Sequence, residues 1–166
     1  MEDLLVDQQI TLRLAQRADE DFLLRVYAST RADELAMVPW TDEQKNQFVR
    51  MQFNAQRSHY QASNSAARQF VVLRSGEAVG RWWIAHQKDE IRILDVTILP
   101  AQRNAGIGTQ LLLRALSEGQ RKKKSVSVYV ETFNPSRRLF ERLGFVAVET
   151  QGMHALMKWT PGKEDT

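Results

Sequence analysis

The stretch Ile98-Leu99-Pro100-Ala101-Gln102-Arg103-Asn104-Ala105-Gly106-Ile107-Gly108 constrains this chain more than any other. An apolar, extended run ends at Pro100, which lacks a backbone N–H and cannot continue a strand ladder. A helix is predicted from about Gly106 to Arg121, with Leu111, Leu112, Ala115 and Leu116 on its buried side. Two glycines one residue apart let the backbone come close to a ligand. Their N–H groups lie at the positive end of the helix dipole, where a phosphate or pyrophosphate is the natural guest. A tight turn without a ligand is the other reading of a lone glycine pair. Two common phosphate loops fit poorly. No Lys follows Gly108, as a P-loop requires, and Leu111 stands where a Rossmann loop has its third glycine.

At 166 residues, with 43% hydrophobic and 26% charged side chains, the sequence predicts one folded domain over 1–166, frayed at 161–166. The absence of Cys excludes disulfides and cysteine nucleophiles. His59, His86 and His154 stand far apart without a second ligand at metal spacing, so no metal site is expected. No run approaches a membrane span, and Met1-Glu2-Asp3 carries acids where a signal peptide carries bases. A cytoplasmic protein without a membrane partner is expected. Arg121-Lys122-Lys123-Lys124 follows a helix end, where cations suit the dipole. Without interleaved aromatics it does not read as a nucleic-acid surface.

Along the chain, Ile10, Leu12 and Leu14 alternate as a first strand. A helix follows from Ala18 to about Arg31, with Phe22, Leu23, Val26 and Tyr27 at helical spacing. Arg31, Asp33 and Glu34 then fall in a loop. Thr41, with Gln44 three residues on, caps a second helix whose stripe is read as Phe48, Met51, Gln52, Ala55, Gln56, His59 and Tyr60. The polar run Ser63 to Arg68 reads as a loop. Strands are predicted at Gln69 to Leu73, Ala78 to Ala85 and Ile91 to Leu99, with a hairpin turn at Ser75-Gly76-Glu77. Ser125 to Val130 is a strand, Pro135 to Leu143 a short helix stopped by Gly144, and Phe145 to Val148 and Met153 to Trp159 a final strand pair. Trp82 and Trp83 point to opposite strand faces, with core packing the simpler role for both. The order implies a mixed α/β domain with antiparallel hairpins and a strand–helix–strand crossover.

The glycine segment resembles the signature of the GNAT superfamily of N-acetyltransferases, Arg/Gln-x-x-Gly-x-Gly/Ala at the start of the central helix. Arg103, Gly106 and Gly108 match its three defined positions. Ile98-Leu99-Pro100 resembles the family's strand end, and Asn134 through Gly144-Phe145 its second cofactor segment, Asn-x-x-Ala-x-x-x-Tyr-x-x-x-Gly-Phe. The resemblance implies a GNAT-like acyl-CoA N-acyltransferase fold, an α/β (α+β) domain. Its central sheet is mostly antiparallel, with a splayed parallel strand pair and helices on both faces. It implies an enzyme moving the acetyl group of acetyl-CoA to a primary amine of a small molecule or protein. An acetyl-CoA sensor or assembly module without turnover is the alternative. Backbone groups of Ile98 and Leu99 would meet the pantetheine arm, and the segment Arg103, Asn104, Ala105, Gly106, Ile107, Gly108 and Thr109 would hold the pyrophosphate. Asn134 would bond the pantetheine from the other side, Arg137, Arg138 and Arg142 would meet the 3′-phosphate, and Phe140 would belong to the same cofactor-binding segment. The family likeness also admits a homodimer through the C-terminal strands.

Two departures stand out. Arg137 replaces a small residue, and Phe140 replaces the Tyr that in many relatives protonates the departing sulfur. A thiol of pKa about 8.5 still leaves tolerably near neutral pH, so this loss would slow such an enzyme without abolishing it. An amine substrate must shed a proton before attack. Counting by twos back from Ile98 gives Val96, Leu94, Arg92 and Glu90, which makes Glu90 the first candidate base. Asp95 falls on the opposite strand face unless a bulge shifts the register. Glu131, at the end of the neighbouring strand, is the alternative base, and an ordinary surface carboxylate is the competing reading for each.

Overall fold

The computed structural model describes residues 9–103, 105–132 and 136–162. Its strands are β1 (Ile10–Leu14), β2 (Ala67–Arg74), β3 (Glu77–His86), β4 (Glu90–Ile98), β5 (Ser125–Glu131), β6 (Val146–Gln151) and β7 (His154–Trp159). The helices are α1 (Glu20–Ala36), α2 (Asp42–Ser63), α3 (Ile107–Lys122) and α4 (Arg137–Arg142). The element order is the one expected from the sequence. The strands form a seven-stranded mixed sheet in the order β1-β2-β3-β4-β5-β7-β6. Its parallel pair is β4 with β5, registered Glu90↔Ser125 to Ile93↔Val128.

Contacts divide the chain into two compact units, each made of two segments: residues 1–83 with 95–107, and 84–94 with 108–166. In the first, β1 runs antiparallel to β2 from Ile10↔Arg74 to Leu14↔Phe70. Ser75 and Gly76 turn β2 into β3 with φ of +49° and +81°, the pattern of a primed two-residue hairpin turn. Leu23, Tyr27, Val49, Phe53 and Val71 form the core, so α1 and α2 both pack on β2. Trp82 and Trp83 are both buried, as core packing requires.

Several expectations change here. α1 does not stop near Arg31 but runs to Ala36, which puts Arg31, Asp33 and Glu34 in the helix. Its polar stretch stays helical because Ser29 Oγ donates to Val26 O and Thr30 Oγ1 to Tyr27 O, each at 2.6 Å. Arg31 then pairs with Glu34 at 3.3 Å across one turn. The loop expected over Ser63 to Arg68 shrinks to three residues, because α2 keeps Ser63 and β2 begins at Ala67. Thr41 caps α2 as expected, its hydroxyl accepting from Gln44 N while Gln44 answers the Thr41 N–H. The buried stripe of α2 agrees with the sequence reading at Gln56 and Tyr60 but not at Met51, and it adds Val49 and Phe53. Val49 and Phe53 are buried and Gln56 and Tyr60 half-buried, whereas Met51 is 60% exposed. In β1 only Ile10 is buried, and Leu14 is 52% exposed.

In the second unit, β5 pairs antiparallel with β7 from Val126↔Trp159 to Glu131↔His154. Leu111, Leu112, Ala115 and Leu116 are buried on α3 as their spacing predicts. α4 covers Arg137–Arg142, shorter than Pro135 to Leu143, and Pro135 lies outside the described residues. Gly144 follows α4 at φ +98°, the left-handed conformation that ends helices. β6 pairs with β7 with a register shift between Ala147 and Glu149.

Candidate active site

β4 ends at Ile98, and the residues after it turn the backbone. The Leu99 N–H donates to Val79 O at 2.9 Å, so it is spent on β3. Strand alternation therefore turns the Ile98 backbone groups away from β3. Ile98 O accepts from Arg103 Nε at 3.1 Å, which gives the motif arginine a local task. Pro100–Gln102 form one 3-10 turn, with Gln102 N bonded to Leu99 O at 2.9 Å and Arg103 N to Pro100 O at 3.2 Å. Ala105 and Gly106 are exposed, and Ile107, 2% exposed, anchors the start of α3.

The two glycines are needed for different reasons. Gly106 has φ +76°, a conformation that other residues rarely adopt. Gly108 sits in the first turn of α3, and a Cβ built there meets nothing within 4 Å among the described residues. Glycine costs a helix about 1 kcal/mol relative to alanine, and packing within the chain gives no reason to accept that cost. Close approach of a ligand gives one. The first four N–H groups of an α-helix lack intrahelical partners, and the first turn of α3 carries no acid to repel an anion. Thr109, half-buried, follows in the same turn. Asn104 and Asn134 lie outside the described residues.

The remaining expected residues have partners of their own. Glu90 is the first residue of β4 and Ile98 the last. Both Glu90 oxygens are engaged: Oε1 accepts from Arg92 Nη2 and Oε2 from Ser127 Oγ, each at 2.9 Å. Arg92 Nε also donates to Ser127 Oγ at 2.7 Å and its guanidinium lies 5.0 Å from the centre of the Tyr129 ring. Glu131 is half-buried, with 42% of its side chain exposed, and pairs loosely with His154 at 4.0 Å. Arg137 stands 3.8 Å from Glu141 on α4. The Phe140 ring is 3% exposed and packs edge-on against Phe145 at 5.3 Å, so it belongs to the core.

One cluster in the first unit escaped the sequence reading. Arg81, in the apolar heart of β3, is fully buried. Its Nε donates to Asp95 Oδ2 at 2.7 Å and its Nη2 to Gln56 Oε1 at 3.0 Å. Thr97 Oγ1 donates to the same carboxylate at 3.0–3.1 Å. Tyr60 packs edge-on against Trp83 at 4.9 Å, and burial, then the charge of Asp95, pushes its phenol above the ordinary pKa. A charged residue inside the run Val79 to Ala85, and glutamines on the inward side of α2, were the available signals.

The family model described as Acetyltransferase (GNAT) family matches residues 25–145. No curated protein matches the chain. Among solved structures it is similar to a PaiA N-acetyltransferase from Thermoplasma acidophilum in complex with coenzyme A. That match has TM-score 0.69 and 18% identity, covering 91% of this chain and 98% of that one. An acetyltransferase from Thermus thermophilus matches with TM-score 0.64 and 19% identity over 92% and 97% of the two chains. A GNAT family acetyltransferase from Elizabethkingia anophelis with acetyl-CoA bound matches with TM-score 0.57 and 12% identity over 93% and 99%. The chain belongs to the GNAT acetyltransferase family. It is an acyltransferase with that family's fold.

Proposed function

We propose that the protein transfers the acetyl group of acetyl-CoA to a primary amine of a small molecule or a protein. The observation that carries this reading is the open first turn of α3, where Gly108 leaves space that the chain's own packing does not use. There the amides of residues 104–109 would hold the pyrophosphate. The Ile98 backbone groups, turned away from β3, would receive the pantetheine arm, with Leu99 fixing their direction through its bond to Val79. Asn134 and Arg137 would add side-chain contacts, and Phe140 would hold α4 against Phe145 without touching the ligand. When bound, acetyl-CoA supplies an acetyl group activated as a thioester. The chain's part is to orient it, to offer the Ile98 N–H to the developing oxyanion and to let a proton leave the amine. Glu131, partly exposed and loosely paired, is the freer of the two proposed bases. Glu90 is held by Arg92 and Ser127.

The cytoplasm is the proposed compartment. A pairing of two copies is checked by light scattering. Thermal melting with acetyl-CoA, CoA, ATP and NAD tests the cofactor. A ligand at 100 times its Kd adds about 2.7 kcal/mol, which raises the melting temperature by several degrees. A shift with the CoA species, followed by amine-dependent CoA release, supports the reading. No shift with either sinks the pyrophosphate assignment, and a shift without CoA release from any amine favours a sensor.

A further inference from the structure

The charged residues at the head of the parallel strand pair have no settled task in the reading above, and all of them belong to the second unit. Glu90 opens β4 and Ser125 opens β5, and the two are paired in register. Ser127 stands opposite Lys158 on β7. Side chains alternate along a strand, so Glu90, Ser125, Ser127 and Lys158 share one face of the sheet. α3 lies against the other face, where a Cβ on Gly119 would meet Val126 and Trp159 at 3.1 Å. On the face away from α3, Gln87, Lys88, Asp89, Glu90, Ser125 and Lys158 line an open cleft of about 480 Å³.

The charges in this cleft do not balance. Glu90 is taken up by its neighbours, for Arg92 Nη2 donates to its Oε1 and Ser127 Oγ to its Oε2, each at 2.9 Å. The ammonium groups of Lys88 and Lys158 have no partner among the described residues. Lysine is seldom drawn inward without an acid beside it, yet Lys158 is half-buried. Lys124, the residue before Ser125, adds a third cation. Its Nζ donates to Gln87 O at 2.7 Å, a neutral acceptor that leaves the charge uncompensated. Against these three stands the carboxylate of Asp89. Such a surplus of positive charge in a concave site suits a small dianion, and small-ligand sites span about 300–1,000 Å³. A merely solvated basic surface needs neither the cleft nor a half-buried lysine.

We infer that this cleft binds a small anion of phosphate chemistry, free or as a monoester, through Lys88 and Lys158, with the Ser125 hydroxyl as a neutral donor. Arg92 is a positioning residue that holds Glu90 and cancels its charge. The site shares no residue with the turn before α3, and the inference does not depend on the acetyl-transfer reading.

The test follows the melting temperature as inorganic phosphate or glycerol phosphate replaces chloride at constant ionic strength, with and without saturating CoA. Wild type melts higher in phosphate in both cases. Lys158→Met keeps the aliphatic packing and weakens phosphate binding about tenfold, the size of a lost charge-assisted hydrogen bond. Lys88→Gln, at an exposed position between β3 and β4, weakens it about threefold. Asp89→Asn removes the opposing carboxylate and tightens binding about threefold, a gain that damage to the fold cannot produce. Tighter binding of glycerol phosphate assigns an ester, and equal binding the free ion. No rise over chloride in wild type overturns the inference. So does a rise that CoA abolishes, or one that all three variants leave unchanged.

Discussion

Replacing Gly108 by alanine separates what the chain needs from what its ligand needs. A Cβ at this position meets no atom of the described residues within 4 Å, so Gly108→Ala costs them no packing. Alanine is the better helix former by about 1 kcal/mol, which raises the melting temperature of the free protein by about 2–4 °C for a chain of this size. The same methyl group occupies the space in which a pyrophosphate would approach the backbone. If affinity for CoA falls tenfold, a concentration that was 100 times Kd becomes 10 times Kd. The ligand's contribution then drops from about 2.7 to about 1.4 kcal/mol. Differential scanning fluorimetry of both proteins, with and without CoA, reads both effects in one experiment. The expected pattern is a higher melting point without ligand and a roughly halved ligand shift. An undiminished shift in Gly108→Ala would refute the idea that this glycine exists for a ligand. A lower melting point in the free protein would show that packing is not indifferent to it.

Three further outcomes follow from the same structure. Gly80→Ala places a Cβ 2.4 Å from Thr97 O, where real contacts stay above 3.0 Å, so β3 and the end of β4 must part. Overpacking of this kind costs about 1–3 kcal/mol, and denaturant unfolding should show at least the lower figure. Gly106→Ala puts a side chain at φ +76° and lowers stability by about 1 kcal/mol even though the space around it is open, again read by denaturant. Burial raises the Glu118 carboxyl, but hydrogen bonds from Lys122 and His86 outweigh it and leave the pKa below the ordinary value. That contribution is present above the unfolded pKa and lost as pH falls through the lowered folded one. Glu118→Gln should therefore flatten the loss of melting temperature below about pH 5, and an equally steep loss in the variant refutes it.

The element order and the glycine turn were legible because they rest on short-range chemistry. Pro100 stops a strand, Gly106 needs a positive φ and Thr41 with Gln44 closes a capping box, all within a few residues. The α1 boundary was missed because Ser29 and Thr30 turn their hydroxyls back onto carbonyls of their own helix. The α2 stripe was legible only in part: Gln56 and Tyr60 lie inward as read, but apolar Met51 lies outward and Val49 and Phe53 take the buried positions. The inward Gln56 has a cause in the tertiary structure. Arg81, 25 residues away in sequence, requires an acceptor, and Gln56 supplies it. Strand parity put Glu90 on the face of Ile98, but parity carries no information on partners from elsewhere, and Ser127, 37 residues on, holds one of its oxygens.

The outer strand β6 bears on how the protein behaves at high concentration. All six of its residues are exposed, Val146 and Val148 at 61% and 53%, and it borders the sheet. A straight valine-bearing edge of this kind invites another chain to extend the sheet indefinitely. The register shift between Ala147 and Glu149 bends the ladder in the middle of the strand, so an incoming strand loses its regular spacing after two or three bonds. That kink keeps a sticky border from becoming a template for fibres, and straightening it by deleting Val148 should turn a soluble preparation into an aggregating one.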